Sequence, residues 1–257
     1  MSRVALVTGA ARGIGAATVR ALAAEGWSVL ATDRCADDAR IPYTLGTREE
    51  LEQLAGIGVL TLPADTCSPA ELGRAVEQAE RSFGGLDAVI AVAGVVAGGV
   101  PLWEQSELEL QAVLDINLYG VAVAAQVGIP ALLRRPAPRQ GRFLAVSSAA
   151  ASRGLAMLTA YGAAKAGVNG LVRGLAAELR GTGVTANSVS PGSTRTPILT
   201  ESARLYGIAD VEEFAHQQAI ERLLEPEEVA AALVWLAGSG GSAISGADIP
   251  VDGGFTG

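Results

Sequence analysis

Lysine is almost absent from this chain: of its 19 basic residues only Lys165 is lysine, and the other 18 are arginine. Arginine holds its proton and is bulkier, so the one lysine in such a background marks a position where a compact ammonium is required. Histidine is as scarce. The single His216 lies in the charged segment 210–221, where a solvated role is expected, and no Gly-x-Ser-x-Gly occurs, so a serine hydrolase lacks both its nucleophile turn and its base. Two cysteines, Cys35 and Cys67, without metal-ligating neighbours and without a charged-then-apolar leader at residues 1–10, point to a reducing cytoplasm, no disulfide framework and no metal. With 11 aromatics in 257 residues, the core must be built from Ala, Val, Leu and Ile. Positive charge is outweighed to a formal net charge of -8, which leaves no basic surface for a phosphate backbone; nucleic acid is excluded and a small molecule expected. Long apolar runs are missing too. The longest uncharged stretches, 88–102 and 118–133, fall short of the roughly 20 residues that span a bilayer and both contain proline, so no membrane span is expected.

What remains is a hydrophobic content of 49% with 32 glycines and 18% charge, which excludes disorder and collagen-like repeats. The length suits one α/β domain over residues 1–257. Short runs, apolar on both faces as buried parallel strands are, occur at 3–8, 28–32, 59–63, 88–93 and 142–146. Between them lie helical patterns with start signals: Ser68-Pro69 with Glu71, and Ser106 with Glu109. A short helix is expected at 49–55 and a longer one over 161–180. The βαβαβα order predicts a Rossmann-type doubly wound parallel sheet in three layers, α/β/α. The polar stretch 35–47 exceeds the usual 2–6 residues of such connections, and the Pro- and Arg-rich 134–141 reads as a surface loop.

Two clusters carry chemistry. Thr8-Gly9-Ala10-Ala11-Arg12-Gly13-Ile14-Gly15 follows the first strand and opens the first helix, where backbone amides can cradle a pyrophosphate; Asp33 ends the second strand, where a ribose 2′-hydroxyl would lie. Tyr161 and Lys165 are four apart on one helix face, so an ammonium stands beside a phenol and is expected to lower its pKa toward working pH. Ser147 and Ser148 end the fifth strand, at the edge where such sheets bind ligands.

In these residues, and in Asn117 of Asn-Leu-Tyr-Gly, Asn187-x-Val189-x-Pro191-Gly192 with Thr196, and Asp252-Gly253-Gly254, the chain resembles the short-chain dehydrogenase/reductase family along essentially its whole length. The resemblance implies an NAD-dependent oxidoreductase that interconverts a small apolar secondary alcohol and a ketone. It makes Tyr161 the acid/base, has Ser148 hold the substrate oxygen, gives Lys165 the Tyr pKa and the nicotinamide ribose, and has Asn117 keep a water relay. It assigns cofactor contacts to Gly9, Arg12, Gly13, Ile14, Gly15, Asp33, Asp65, Gly94, Tyr161, Lys165, Pro191, Gly192 and Thr196. Asp33 favours NAD over NADP, whereas Arg12 and Arg34 could each pair with a 2′-phosphate. One departure from the family is Ala91-Val92-Ala93-Gly94, which lacks the amide that usually braces the sheet.

The stretches 33–49, 93–99 and 191–197 are similar to the mycofactocin-coupled branch, which implies a tightly held NAD, a lid over its adenosine end and a mycofactocin redox carrier as partner. Trp103, Leu155, Met157, Leu199 and Tyr206 fall where the family surrounds its substrate, with Arg153 the one nearby group able to hold an acid. The small-residue run Gly162 to Gly170 suits either intrachain packing or the helix contact of a homotetramer. A catalytically silent NAD(P)-binding sensor and an NADPH-dependent 3-ketoacyl-type reductase are the alternatives; a sensor would not need Ser148, Tyr161 and Lys165 together.

Overall fold

The computed structural model describes residues 2–257. Elements follow in the order β1 (Val4–Thr8), α1 (Gly13–Ala24), β2 (Ser28–Asp33), α2 (Arg48–Glu52), β3 (Val59–Pro63), α3 (Pro69–Phe83), β4 (Ala88–Ala91), α4 (Glu107–Leu114), α5 (Gly120–Arg134), β5 (Gly141–Val146), α6 (Thr159–Glu178), β6 (Val184–Pro191), α7 (Pro197–Tyr206), α8 (Pro226–Ala237) and β7 (Asp248–Val251). The seven strands form one parallel sheet in the order β3-β2-β1-β4-β5-β6-β7. The strand order reverses between β1 and β4, which opens a crevice at their carboxyl ends.

Alternate strand residues feed two cores. Val4, Leu6, Val89, Phe143 and Ala186 pack with α3, α5 and α6, while Ala5, Val7, Ile90, Leu144 and Val189 pack with α1 and α8. Two strands escape the apolar-run criterion. β6 reads Val-Thr-Ala-Asn-Ser-Val-Ser-Pro and β7 is four residues long, so neither has a continuous apolar stretch. β4 ends at Ala91 and not Ala93, because the amides of Val92 and Ala93 donate to the Thr8 hydroxyl at 3.2 and 3.3 Å. That hydroxyl braces the segment where the family's amide is missing.

Local start signals hold. Ser68 accepts from the Glu71 amide to open α3, and Thr47 with Glu50 forms a reciprocal cap on α2. Residues 107–134 run as one helical stretch through a π-turn at Asp115–Tyr119, long and apolar enough by composition to cross a membrane, against the expectation from the uncharged runs alone. It serves here as a core helix: Ala112, Val113, Val121, Val123, Ala124 and Leu132 are buried within the protein.

Candidate active site

At the crevice the backbone of the glycine-rich turn is laid bare. Gly9 and Gly13 have φ of 65° and 56°, which L side chains rarely adopt. A Cβ on Gly9 would stand 2.5 Å from Ala93 Cα, and one on Gly15 would stand 2.0 Å from the Gly9 carbonyl oxygen. Helix α1 has no side-chain cap at Arg12 and no acid in its first turn, whereas α3, α4 and α7 are capped by Ser68, Ser106 and Thr196. Its first amides are therefore open to an anion, as a dinucleotide pyrophosphate requires. Asp33 closes this end: its carboxylate accepts from the Ala11 and Cys35 amides at 3.1 and 3.2 Å, beside the turn.

The loop 34–47 lies over this end and is packed rather than free. Ile41 is buried, and Tyr43 and Leu45 join an apolar cluster with Val95, Ile116 and Tyr161. A Cβ on Gly46 would come within 2.8 Å of Ala11 Cβ and 3.1 Å of Asp33 Oδ1. Both arginines that could have received a 2′-phosphate are committed to this loop. Arg12 donates to the Thr44 carbonyl at 2.6 Å, and Arg34 donates to Asp38 at 2.8 Å with Asp65 3.6 Å away.

At the other end, Ser148 follows β5, and Tyr161 and Lys165 project from α6, with Tyr161 and Lys165 9% and 3% exposed. Ser148 accepts from the Ala150 amide at 3.1 Å, which leaves its own proton to donate. Lys165 donates to the Val146 carbonyl at 2.8 Å, and burial pushes its pKa down to about 8. The phenol does not follow the expectation. Burial raises the Tyr161 pKa, opposed by the Ser148 hydroxyl; Lys165, 5.9 Å from the ring centre and turned to a carbonyl, does not reverse it.

Asn117 is wholly buried in the π-turn, where it donates to the Val95 and Val113 carbonyls and accepts from the Val95 amide. Its side chain is thus spent on bracing the segment after β4. Gly94 completes the group: a Cβ there would lie 2.8 Å from Asn117 Oδ1 and 3.3 Å from Lys165 Nζ.

One cleft joins these parts. It is lined by Gly9, Arg12, Gly13, Ile14, Gly15, Asp33, Asp65, Gly94, Ser148, Tyr161, Lys165, Pro191, Gly192 and Thr196, so every residue singled out for cofactor or chemistry meets there except Asn117, which stands behind Gly94. Leu155, Leu199 and Tyr206 line the half beyond Tyr161, but Trp103 does not: it is 85% exposed after β4. Met157 also stands outside the lining, and Arg153 is taken by the Phe255 carbonyl at 2.6 Å and by the Phe255 ring. His216 is exposed, as expected. Sequence reading missed Tyr43, Phe214 and Phe255, which line the cleft from a loop, a 3₁₀ turn and the chain end; no local pattern marks them. The Tyr43 hydroxyl accepts from the Val96 amide at 3.1 Å, and burial pushes its pKa up to about 12.

A family model described as enoyl-(acyl carrier protein) reductase matches residues 9–256. Cis-4-hydroxycyclohexanecarboxylate dehydrogenase of Sinomonas cyclohexanicum is 39% identical over 99% of this chain and 96% of its own length. (-)-Trans-carveol dehydrogenase of Rhodococcus erythropolis is 35% identical over 99% and 97%. Among solved structures, carveol dehydrogenase from Mycobacterium avium in complex with NAD superimposes with a TM-score of 0.92 at 27% identity, covering 98% of this chain and 97% of that one. Identity at that level over nearly the full length of each partner, on one shared fold, places this chain in the short-chain dehydrogenase/reductase family.

Proposed function

We propose that the protein is an NAD-dependent dehydrogenase interconverting small, apolar secondary alcohols and ketones, cyclic ones first. The observation that carries this reading is one cleft with a glycine cradle and Asp33 at one end and Ser148 with buried Tyr161 and Lys165 at the other. Bound NAD supplies the hydride acceptor. In alcohol oxidation, Ser148 donates a hydrogen bond to the substrate oxygen and orients it. Tyr161, as phenolate, takes the proton from the hydroxyl oxygen while the hydride leaves the carbon that bears it, forming the carbonyl; in ketone reduction the phenol returns the proton to that oxygen. Lys165 holds the Val146 carbonyl and stands ready to contact the ribose, and Asn117 keeps Gly94 and Val95 in place against it.

The substrate half is lined by Leu155, Leu158, Ile198, Leu199, Tyr206 and Phe214, and every charged residue lining the cleft except Lys165 belongs to the nucleotide end. With Arg153 occupied by Phe255, a carboxylate on the substrate would find no cation. An uncharged cyclic alcohol is therefore favoured over a hydroxy acid. Asp33 beside the turn, and the commitment of Arg12 and Arg34 to the loop, favour NAD over NADP.

The packed loop 34–47 supports a lid that slows NAD release, with electrons passed to a mycofactocin-type redox carrier. The exposed Ala163, Ala166, Gly170 and Gly174 on α6 support close helix contact in a homotetramer, and two free thiols, Cys35 and Cys67, suit a reducing cytoplasm. Mass and absorbance analysis of nucleotide released from the purified protein tests the cofactor, with cyclohexanol and carveol as first substrates. Release of NADP, or oxidation of neither alcohol, would overturn the reading.

A further inference from the structure

Among the described residues five aromatics are buried, and four of them, Trp27, Phe143, Tyr161 and Phe214, belong to apolar clusters of the fold. The fifth, Phe255, is 5% exposed and belongs to none of those clusters. It lines the cleft.

Asp252-Gly253-Gly254, a motif that neither the glycine cradle nor the proton transfer uses, turns the chain end toward that position. The Gly192 amide donates to the Val251 carbonyl at 3.1 Å, and a Cβ on Gly192 would stand 2.7 Å from the Asp252 carbonyl oxygen, so the turn begins directly against the cleft wall. Gly253 and Gly254 follow at φ of 61° and 80°, which L side chains rarely adopt, and the Asp252 carboxylate accepts from the Gly254 and Thr256 amides at 2.9 and 3.0 Å. Arg153 closes on the turn from the opposite side, out of the stretch that joins Ser148 to Tyr161. Its guanidinium donates to the Phe255 carbonyl at 2.6 Å and lies 4.6 Å from the centre of the Phe255 ring. Phe255 is thus held at the reacting end of the cleft, between that stretch and the turn at Gly192.

We propose, on the reading of the cleft as an alcohol dehydrogenase site, that the Phe255 ring is a wall of the substrate half and sets the largest ring system admitted, with Arg153 as the positioning residue that keeps it in place. A ring on a locked turn and under a guanidinium cannot swing aside without giving up those contacts, so a second ring fused to the substrate would meet it. Truncation to alanine opens space continuous with the cleft, because Phe255 is part of its lining.

The test compares kcat/KM of the full-length, NAD-saturated protein for cyclohexanol and for decahydronaphthol, the same secondary alcohol with a second ring fused to it. Wild type should favour cyclohexanol. Phe255→Ala should raise the decahydronaphthol-to-cyclohexanol ratio about ten-fold or more, chiefly through KM for the larger alcohol, and Arg153→Met should raise it several-fold. A general loss of catalysis lowers both rates alike and cancels from the ratio. Equal use of the two alcohols by wild type, or an unchanged ratio in Phe255→Ala, overturns the wall while cyclohexanol oxidation leaves the dehydrogenase reading standing; oxidation of neither alcohol by wild type overturns both. An unchanged ratio in Arg153→Met overturns the clamp, and this variant, at an exposed position, keeps the result decisive should Phe255→Ala fold poorly.

Discussion

The two ends of the cleft are built by different means. Ser148, Tyr161 and Lys165 hang on β5 and the 20-residue α6, so their positions follow from ladder hydrogen bonds and from apolar neighbours such as Ala164 and Val168. The ribose end has Asp33 on β2, but its cover is an irregular loop held by side chains: Arg12 on Thr44, Arg34 and Arg40 on Asp38, Arg40 on Asp115 at 2.7 Å, and the Leu45 amide on Asp37. Arg40 and Asp115 are each 29% exposed, so water and salt screen them in part. Geometry at the reacting end is therefore expected to be insensitive to ionic strength, and the loop's hold at the other end to weaken as salt rises.

The largest effect expected from breaking this contrast is at the reacting end. Tyr161→Phe should lower turnover by about 10²–10⁴-fold while leaving NAD affinity nearly intact, because in the proposed mechanism the phenol moves the proton and adds little to binding. Steady-state rates with a parallel fluorescence titration decide it; retention of more than a tenth of the wild-type rate would place the base elsewhere. Since burial raises the Tyr161 pKa, alcohol oxidation should climb with pH as the phenolate fraction grows. A kcat/KM profile already flat from about pH 6 upward would contradict that sign.

Lys165→Arg should be nearly as damaging as Lys165→Ala, on the order of 10²-fold. The ammonium sits where even a Cβ on Gly94 would come within 3.3 Å, and the fork of a guanidinium is too large and differently directed. An arginine variant with the wild-type rate and pH profile would show that charge alone suffices. At the ribose end, Asp33→Asn should cut the NAD-to-NADP preference roughly ten-fold, measured as the ratio of kcat/KM, by removing carboxylate repulsion without freeing Arg12 or Arg34. An unchanged ratio would assign the preference to the loop.

The smallest effect is expected from Arg40→Met, which cuts the loop from Asp38 and Asp115. NAD dissociation should speed up by about ten-fold or less, equivalent to roughly 1.4 kcal/mol, and by less in high salt. Stopped-flow displacement at two ionic strengths reads both numbers; an unaltered rate would reduce the lid to a surface insertion.

The parallel sheet, the glycine turn and the Tyr161-Lys165 pair are legible residue by residue, because each is a local pattern: apolar runs, φ-permissive residues before a helix, and a spacing of four on one face. Sequence reading reached five strands and not β6, which mixes small polar with apolar residues, or β7, a short Asp-Ile-Pro-Val; both are stabilised by the strands they pair with. What the charged groups do depends on the packed fold. Arg12, Arg34 and Arg153 were open to ligand by residue type, yet each meets a partner far along the chain or across a loop. The same holds for protons. An i, i+4 spacing brings Lys165 beside Tyr161, but burial governs both pKa values, opposed at Tyr161 by the Ser148 hydroxyl, and burial is a property of the whole packed layer that no pair of residues encodes.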